Sequence, residues 1–353
     1  MILFLTPYPF DTAASQRFRF EQYFDALDEN NIKYKVEPFW ESKAWGILYK
    51  KGESVPKLWF LIKGIISRWF LLFTSHKYDY IFVHREIYPA GIKLLIFVLT
   101  KVLRRKIIYD FDDAIWLPNF ANNNKKFAFI KSYGQVPFLC KSAYKVSVGN
   151  AYLKDYALQF NNNVVVNPTT IDTDNLHNKT IDYDLSDFII GWTGTHSTLK
   201  YVEDLLPILD ELIKSHEFTL TIISDLPPSF ERRYLQFVKW NKDTEIDDLL
   251  KFNIGIMPLR DDKWAKGKCG FKALQYMSLG IPAMVSNVGV NNQIVSHQEN
   301  GWVCENVKDW EASIQAVLQS PELSVHLGEK AREAIVKSYS VRSNTNNFLS
   351  LFQ

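Results

Sequence analysis

Eleven short apolar runs, each closed by turn residues, recur along this chain and limit its fold more than any other feature. They fall at residues 2–6, 35–39, 80–84, 106–110, 145–148 and 164–167, and then at 188–192, 218–223, 254–258, 283–286 and 302–304. Runs of strand length separated by stretches of helical pattern predict parallel sheets with crossover helices. At 353 residues the chain is too long for one core, and domains of about 150 residues predict two. The expected fold class is therefore α/β, with two Rossmann-like, doubly wound parallel-sheet domains facing across a cleft. A polar stretch at 167–187, with Pro168, Thr169 and Thr170 at its start, reads as the linker. It sets the expected domains at 1–170 and 171–338. Helical patterns at 310–319, 321–338 and 341–352 close the chain, and residues 339–353 are expected to return to the first domain.

The net charge of +2 conceals an asymmetry. Residues 1–170 carry 23 Lys and Arg against 14 Asp and Glu, and the remainder carries 18 against 25. The first half therefore favours an anionic partner. Nucleic acid is disfavoured, because the basic residues form no single stripe and the second half is acidic. Cys140, Cys269 and Cys304 are widely spaced and odd in number, which fits neither a disulfide framework nor a zinc site and points to a reducing, cytoplasmic compartment. Residues 1–9 lack the basic flank of a signal peptide and read as a first strand.

Residues 58–73 are apolar but broken by Lys63 and Arg68, whereas a membrane span needs about 20 mostly apolar residues. The mixture of Leu58, Trp59, Ile62, Ile66, Phe70 and Phe73 with Lys57, Lys63 and Arg68 suits a helix lying in a lipid interface. Residues 92–106 repeat it with Lys93, Lys101, Arg104, Arg105 and Lys106. Helices that cover a parallel sheet can look the same, so both readings stay open at this point.

In open α/β sheets ligands bind beyond the carboxyl ends of the strands, and several of those ends are loaded with polar residues. The run 189–200 passes from a strand through Thr193, Gly194, Thr195 and His196 to Ser197, the expected helix N-cap, and on to Lys200. Free N–H groups, hydroxyls and a lysine at such a turn suit a phosphate. The run 266–282 has a Gly-rich opening with Lys268, Cys269, Gly270, Phe271 and Lys272, then Gln275, and a stop at Gly280 and Pro282. If the helix begins at Lys268, then Lys268, Lys272 and Gln275 share a face opposite Ala273, Leu274 and Met277. Two lysines at a positive helix end are then relieved by a bound diphosphate. In the first half, Asp110, Asp112 and Asp113 crowd one strand end, with Arg17, Arg19 and Arg85 as candidate partners.

Residues 267–282, followed by Met284, Val285, Ser286, Asn287, Val288, Gly289 and Val290, resemble the donor motif of family 4 glycosyltransferases, retaining enzymes of GT-B fold. Residues 109–116 and 191–197 resemble motifs of a bacterial branch of that family, so the resemblance covers nearly the whole chain. It implies a nucleotide-sugar donor, no metal or other cofactor, and a saccharide or polyprenyl-diphosphate-linked acceptor in cell-surface polysaccharide synthesis at the inner membrane face. Where the family carries two glutamates eight positions apart, this sequence has Gly267 and Gln275. Thr193 stands near the family's arginine, Lys200 matches its lysine, and Asp112 aligns best with its histidine.

The expected site follows from both lines. Thr193, Gly194, Thr195, His196, Ser197, Lys200, Lys268, Cys269, Gly270, Phe271, Lys272 and Gln275 bind the donor. Lys272 also stabilises the leaving group, while Asp112 and Asp113 position the acceptor hydroxyl. Arg17, Arg19, His84, Arg85 and Glu86 meet the acceptor. A sugar-nucleotide epimerase of the same fold and a non-catalytic sugar-nucleotide binding module are the alternatives. A dinucleotide-dependent dehydrogenase fits poorly, since no G-x-G-x-x-G follows a strand.

Overall fold

A computed structural model of the chain describes residues 1–48, 50, 52–89, 93–117 and 134–353. The chain divides into two compact units, one of residues 1–169 with 345–353 and one of residues 170–344.

In the first unit six parallel strands run in the order β2-β1-β3-β4-β5-β6. They are β1 (Ile2–Thr6), β2 (Tyr34–Pro38), β3 (Tyr80–His84), β4 (Lys106–Phe111), β5 (Lys145–Val148) and β6 (Val164–Val166). Strands β1, β3, β4 and β5 are buried along nearly their whole length, which is why β1, β3 and β4 read as near-continuous apolar runs and not as alternating ones. Phe4 anchors this core, with the rings of Phe24 at 5.1 Å and Phe82 at 5.0 Å. The last residues complete it: Phe348 stacks on Tyr23 at 4.4 Å, and Leu351 is fully buried.

The second unit holds β7 (Ile189–Gly194), β8 (Thr219–Ser224), β9 (Leu235–Lys239), β10 (Ile254–Met257), β11 (Ala283–Ser286) and β12 (Gly301–Cys304), all parallel, in the order β12-β11-β10-β7-β8-β9. Strand β9 has no counterpart among the eleven apolar runs. It lies at the sheet edge and is half exposed, and its apolar residues Leu235, Phe237 and Val238 are interrupted by Gln236 and closed by Lys239, so they form no continuous run. The strand order turns back between β7 and β10. A doubly wound sheet leaves its ligand crevice at such a reversal, beyond the carboxyl ends of the two strands.

Candidate donor site

The two motifs singled out in the second half meet at this reversal. The helix Phe271–Ser278 follows β10 in the chain, and its first turn lies beside the end of β7. Lys272 Nζ sits 5.5 Å from the centre of the Trp192 ring. Its stem passes so close to Gly194 that a Cβ there would stand 2.8 Å from Lys272 Cε and 2.7 Å from the Trp192 ring. A β-carbon at 194 would collide with the buried Trp192 ring, so the passage favours glycine. Tyr276, one turn further on and fully buried, accepts a hydrogen bond from the Thr193 amide at 3.0 Å. The aromatic ring and the tyrosine thus fix the height of the lysine above the strand end.

Three expectations change here. The helix begins at Phe271 and not at Lys268, because Gly270 has φ +69° and breaks the helical path. The Val290 and Ile294 side chains pack against Gly270, and the left-handed backbone favours glycine there. Lys268 therefore does not share a helical face with Lys272; it lies in the preceding turn, with Nζ 5.8 Å from the Trp264 ring centre. Gln275 is not on an open face either. It is buried and donates from Nε2 to Glu245 Oε1 at 3.0 Å. Cys269 is likewise buried, while Phe271 and Lys272 keep partial exposure.

Ser197 is not the N-cap. It lies inside a 3₁₀ turn, His196–Thr198, and shares a 2.9 Å hydrogen bond with Thr195 through their hydroxyls. The α-helix starts at Lys200, ends at Glu203 and restarts at Leu206, with Pro207 in the first turn of the second piece. Proline is accommodated in a first turn, where its missing N–H costs nothing. The amides of Thr193 and His196 are engaged by Tyr276 and Asp225, so they are not free to cradle a phosphate. Asp225 escaped the sequence reading because it lies 29 positions from its partner. One of its oxygens takes the His196 amide at 2.7 Å and the other the ring Nδ1 at 2.7 Å. Partial burial acts to raise the Asp225 carboxyl, but both His196 contacts hold it below its ordinary value. What remains on the exposed lip beyond β7 is a set of side chains: Thr195, His196, Ser197 and Lys200.

In the first unit the expected acceptor residues divide into two sets. Arg19 and His84 are buried and joined to Asp110, not presented to a ligand. His84 Nδ1 donates to Asp110 Oδ2 at 2.8 Å, Ser147 Oγ donates to Oδ1 at 2.6 Å, and Arg19 bonds both Asp110 and the Asn167 carbonyl. Burial by itself acts to raise the Asp110 carboxyl, but Arg19 and His84 hold it well below the usual carboxylate range. Arg85 grips the other two acids, with Nε 2.8 Å from Asp112 Oδ1 and a terminal nitrogen 2.6 Å from Asp113 Oδ2. It does so from a left-handed backbone, φ 58°, fastened by its amide to the Asp110 carbonyl and by its carbonyl to the Tyr109 hydroxyl. Such a conformation costs a β-carbon residue about 1 kcal/mol and persists where the surroundings hold it. Glu86 follows, half buried, with its amide on the His84 carbonyl.

Arg17 lies on the loop side of this end, 3.3 Å from Asp11. Glu21 was not among the sequence candidates. Buried beneath the loop after β1, it takes hydrogen bonds from Gln16 and the Asp11 amide, and burial pushes its carboxyl up to about 7.

Comparison with known proteins accounts for the second unit. Residues 187–320 match the sequence model of the family described as Glycosyl transferases group 1. The match lies within the second unit and covers most of it. A stretch of 165 residues is 21% identical to N-acetyl-alpha-D-glucosaminyl L-malate synthase of Bacillus anthracis, covering 44% of this chain and 42% of that protein's length. The chain as a whole is similar in fold to sucrose-phosphate synthase of Thermosynechococcus elongatus, with TM-score 0.71 and 13% identity over 99% of this chain and 97% of that one. It is also similar to Anabaena HepE, solved in complex with UDP-glucose, with TM-score 0.62 and 13% identity over 99% of both chains. The two sheets are those of a GT-B fold.

The buried Gln275–Glu245 pair invites a direct test. Writing Glu at 275 places a second carboxylate about 3 Å from Glu245 in a buried site, where both cannot stay ionised. Gln275→Glu is expected to cost roughly 1–3 kcal/mol of stability. The swapped pair, Gln275→Glu with Glu245→Gln, recovers most of it. Melting temperatures of the two single variants and the double at pH above 7 measure the coupling.

Proposed function

We propose that the protein is a retaining glycosyltransferase that moves a sugar from a nucleoside diphosphate sugar to a saccharide or lipid-linked acceptor. Its setting is cell-surface polysaccharide synthesis at the cytoplasmic face of the membrane. The observation that carries this reading is the passage of Lys272 across Gly194 and Trp192 at the strand reversal. It sets a cation where a doubly wound sheet receives its ligand. Departure of the nucleoside diphosphate leaves negative charge on the phosphates, and a fixed cation there stabilises the transition state more than the ground state. Lys268 and Lys200, with the hydroxyls of Thr195 and Ser197, supply the remaining donor contacts. No metal is required in this scheme.

Asp112 and Asp113, clamped by Arg85, position the acceptor hydroxyl, and Arg17 favours an anionic acceptor. NMR of the product of a turnover reaction tests the stereochemistry. The anomeric configuration of the donor sugar is expected to be kept, and an inverted product contradicts the proposal. The buried Gln275 favours one competing reading, a binding module without turnover. Nucleotide-sugar binding with neither transfer nor hydrolysis, across a panel of saccharide and lipid-diphosphate acceptors, decides for that module.

A further inference from the structure

The helix Ser54–Thr74 is the longest among the described residues, and it is buried on one face only. Gly64, Arg68 and Leu71, spaced by four, three and seven positions, face the first unit. Arg68 fastens the helix there by donating to the carbonyls of Thr6, Glu37 and Ile87, at 3.2, 3.0 and 3.1 Å. The opposite face carries Leu58, Trp59, Ile62, Ile66, Phe70 and Phe73, also at helical spacing and all exposed, from 44% for Ile62 to 74% for Phe73. A stripe of that size left in water marks an interaction surface.

We infer that this face is an in-plane anchor that seats the first unit on an anionic lipid surface. It deepens the proposed function by naming the element that meets the membrane. Charge selects the occupant: with Arg68 buried and Arg85 paired to Asp112 and Asp113, residues 42–106, which contain the helix, still hold 11 other Lys and Arg against three acidic residues. Anionic headgroups attract that excess, whereas a second copy of the same surface repels it. The next crossover adds to the surface. The steps from β2 to β3 and from β3 to β4 run in one direction along the sheet. Right-handed crossovers therefore place both on one face, and Leu94, Phe97 and Val102 of the second are exposed as well.

Ser54–Lys77 is long and apolar enough to cross a bilayer by length and composition. Crossing would pull Arg68 from its three carbonyls and uncover them, while lying flat keeps every one of those bonds. The anchor therefore lies along the surface, with its aromatic rings at headgroup depth.

Co-sedimentation of the full chain with vesicles tests this without any turnover, so it stands or falls apart from the transferase reading. The wild type is expected to bind phosphatidylcholine vesicles containing about one third phosphatidylglycerol, and more weakly in about 0.5 M salt. The triple variant Trp59→Ser, Phe70→Ser and Phe73→Ser, altered only at exposed positions, is expected to keep its melting temperature and to bind roughly tenfold or more weakly. Extraction with alkaline carbonate is expected to release the bound wild type. A wild type indifferent to anionic vesicles overturns the inference, as does a triple variant that binds equally well. So does a dimer that the triple variant dissociates without any vesicle binding, which assigns the face to a second copy. Retention through carbonate extraction overturns the in-plane geometry.

Discussion

Lys272→Met is expected to lower turnover of the nucleotide sugar by roughly 10²- to 10³-fold, about 3 kcal/mol of transition-state stabilisation, the cost of removing one preorganised charge contact. Methionine keeps most of the stem that crosses Gly194, so the packing on Trp192 survives and the loss reports the charge. The effect should fall on kcat more than on KM, because charge on the departing diphosphate grows as the bond to the sugar breaks. A variant that loses affinity with an unchanged kcat would make Lys272 a contact of the ground state alone.

The second large effect is on stability. Asp110→Ala leaves Arg19 buried without its counter-charge, and breaking such a pair from one side costs about 3–5 kcal/mol. In a unit of this size each kcal/mol is worth roughly 2–4 °C, so thermal unfolding should begin about 10 °C lower. Removing both partners, as in Arg19→Met with Asp110→Leu, is expected to cost less than Asp110→Ala alone. The pH dependence follows from the depressed Asp110 carboxyl. Its contribution is fully present above the unfolded value of about 3.9 and is lost as the pH falls towards the folded one. The Asp110→Ala variant should therefore lose less stability than the wild type between about pH 4 and lower values.

Much of the fold was legible in the sequence because parallel strands are buried on both faces and so announce themselves as apolar runs. Four strands, at 2–6, 80–84, 145–148 and 283–286, begin and end where the runs do. Strand β9 was invisible for the opposite reason, as an edge strand with mixed exposure. The site was harder. Helical pitch was extended through Gly270, whose left-handed backbone can be seen only in three dimensions. Polar residues at a strand end do not reveal whether they face water or each other: Arg19, His84 and Asp110 turned inward, and Arg85 turned to Asp112 and Asp113. Asp225 and Glu245 carry no local motif. Each became visible only through a partner, His196 in one case and Gln275 in the other.

The claim on which the rest depends is that Lys272, held above Gly194, grips the diphosphate of a nucleotide. Thermal shift of the wild type and of Lys272→Met against a panel of nucleoside diphosphates measures it directly, since a ligand that binds only the folded state raises the melting temperature with its affinity. The account predicts that at least one nucleoside diphosphate stabilises the wild type and that the shift shrinks or disappears in the variant. Equal stabilisation of both proteins, or of neither by any member of the panel, would contradict it.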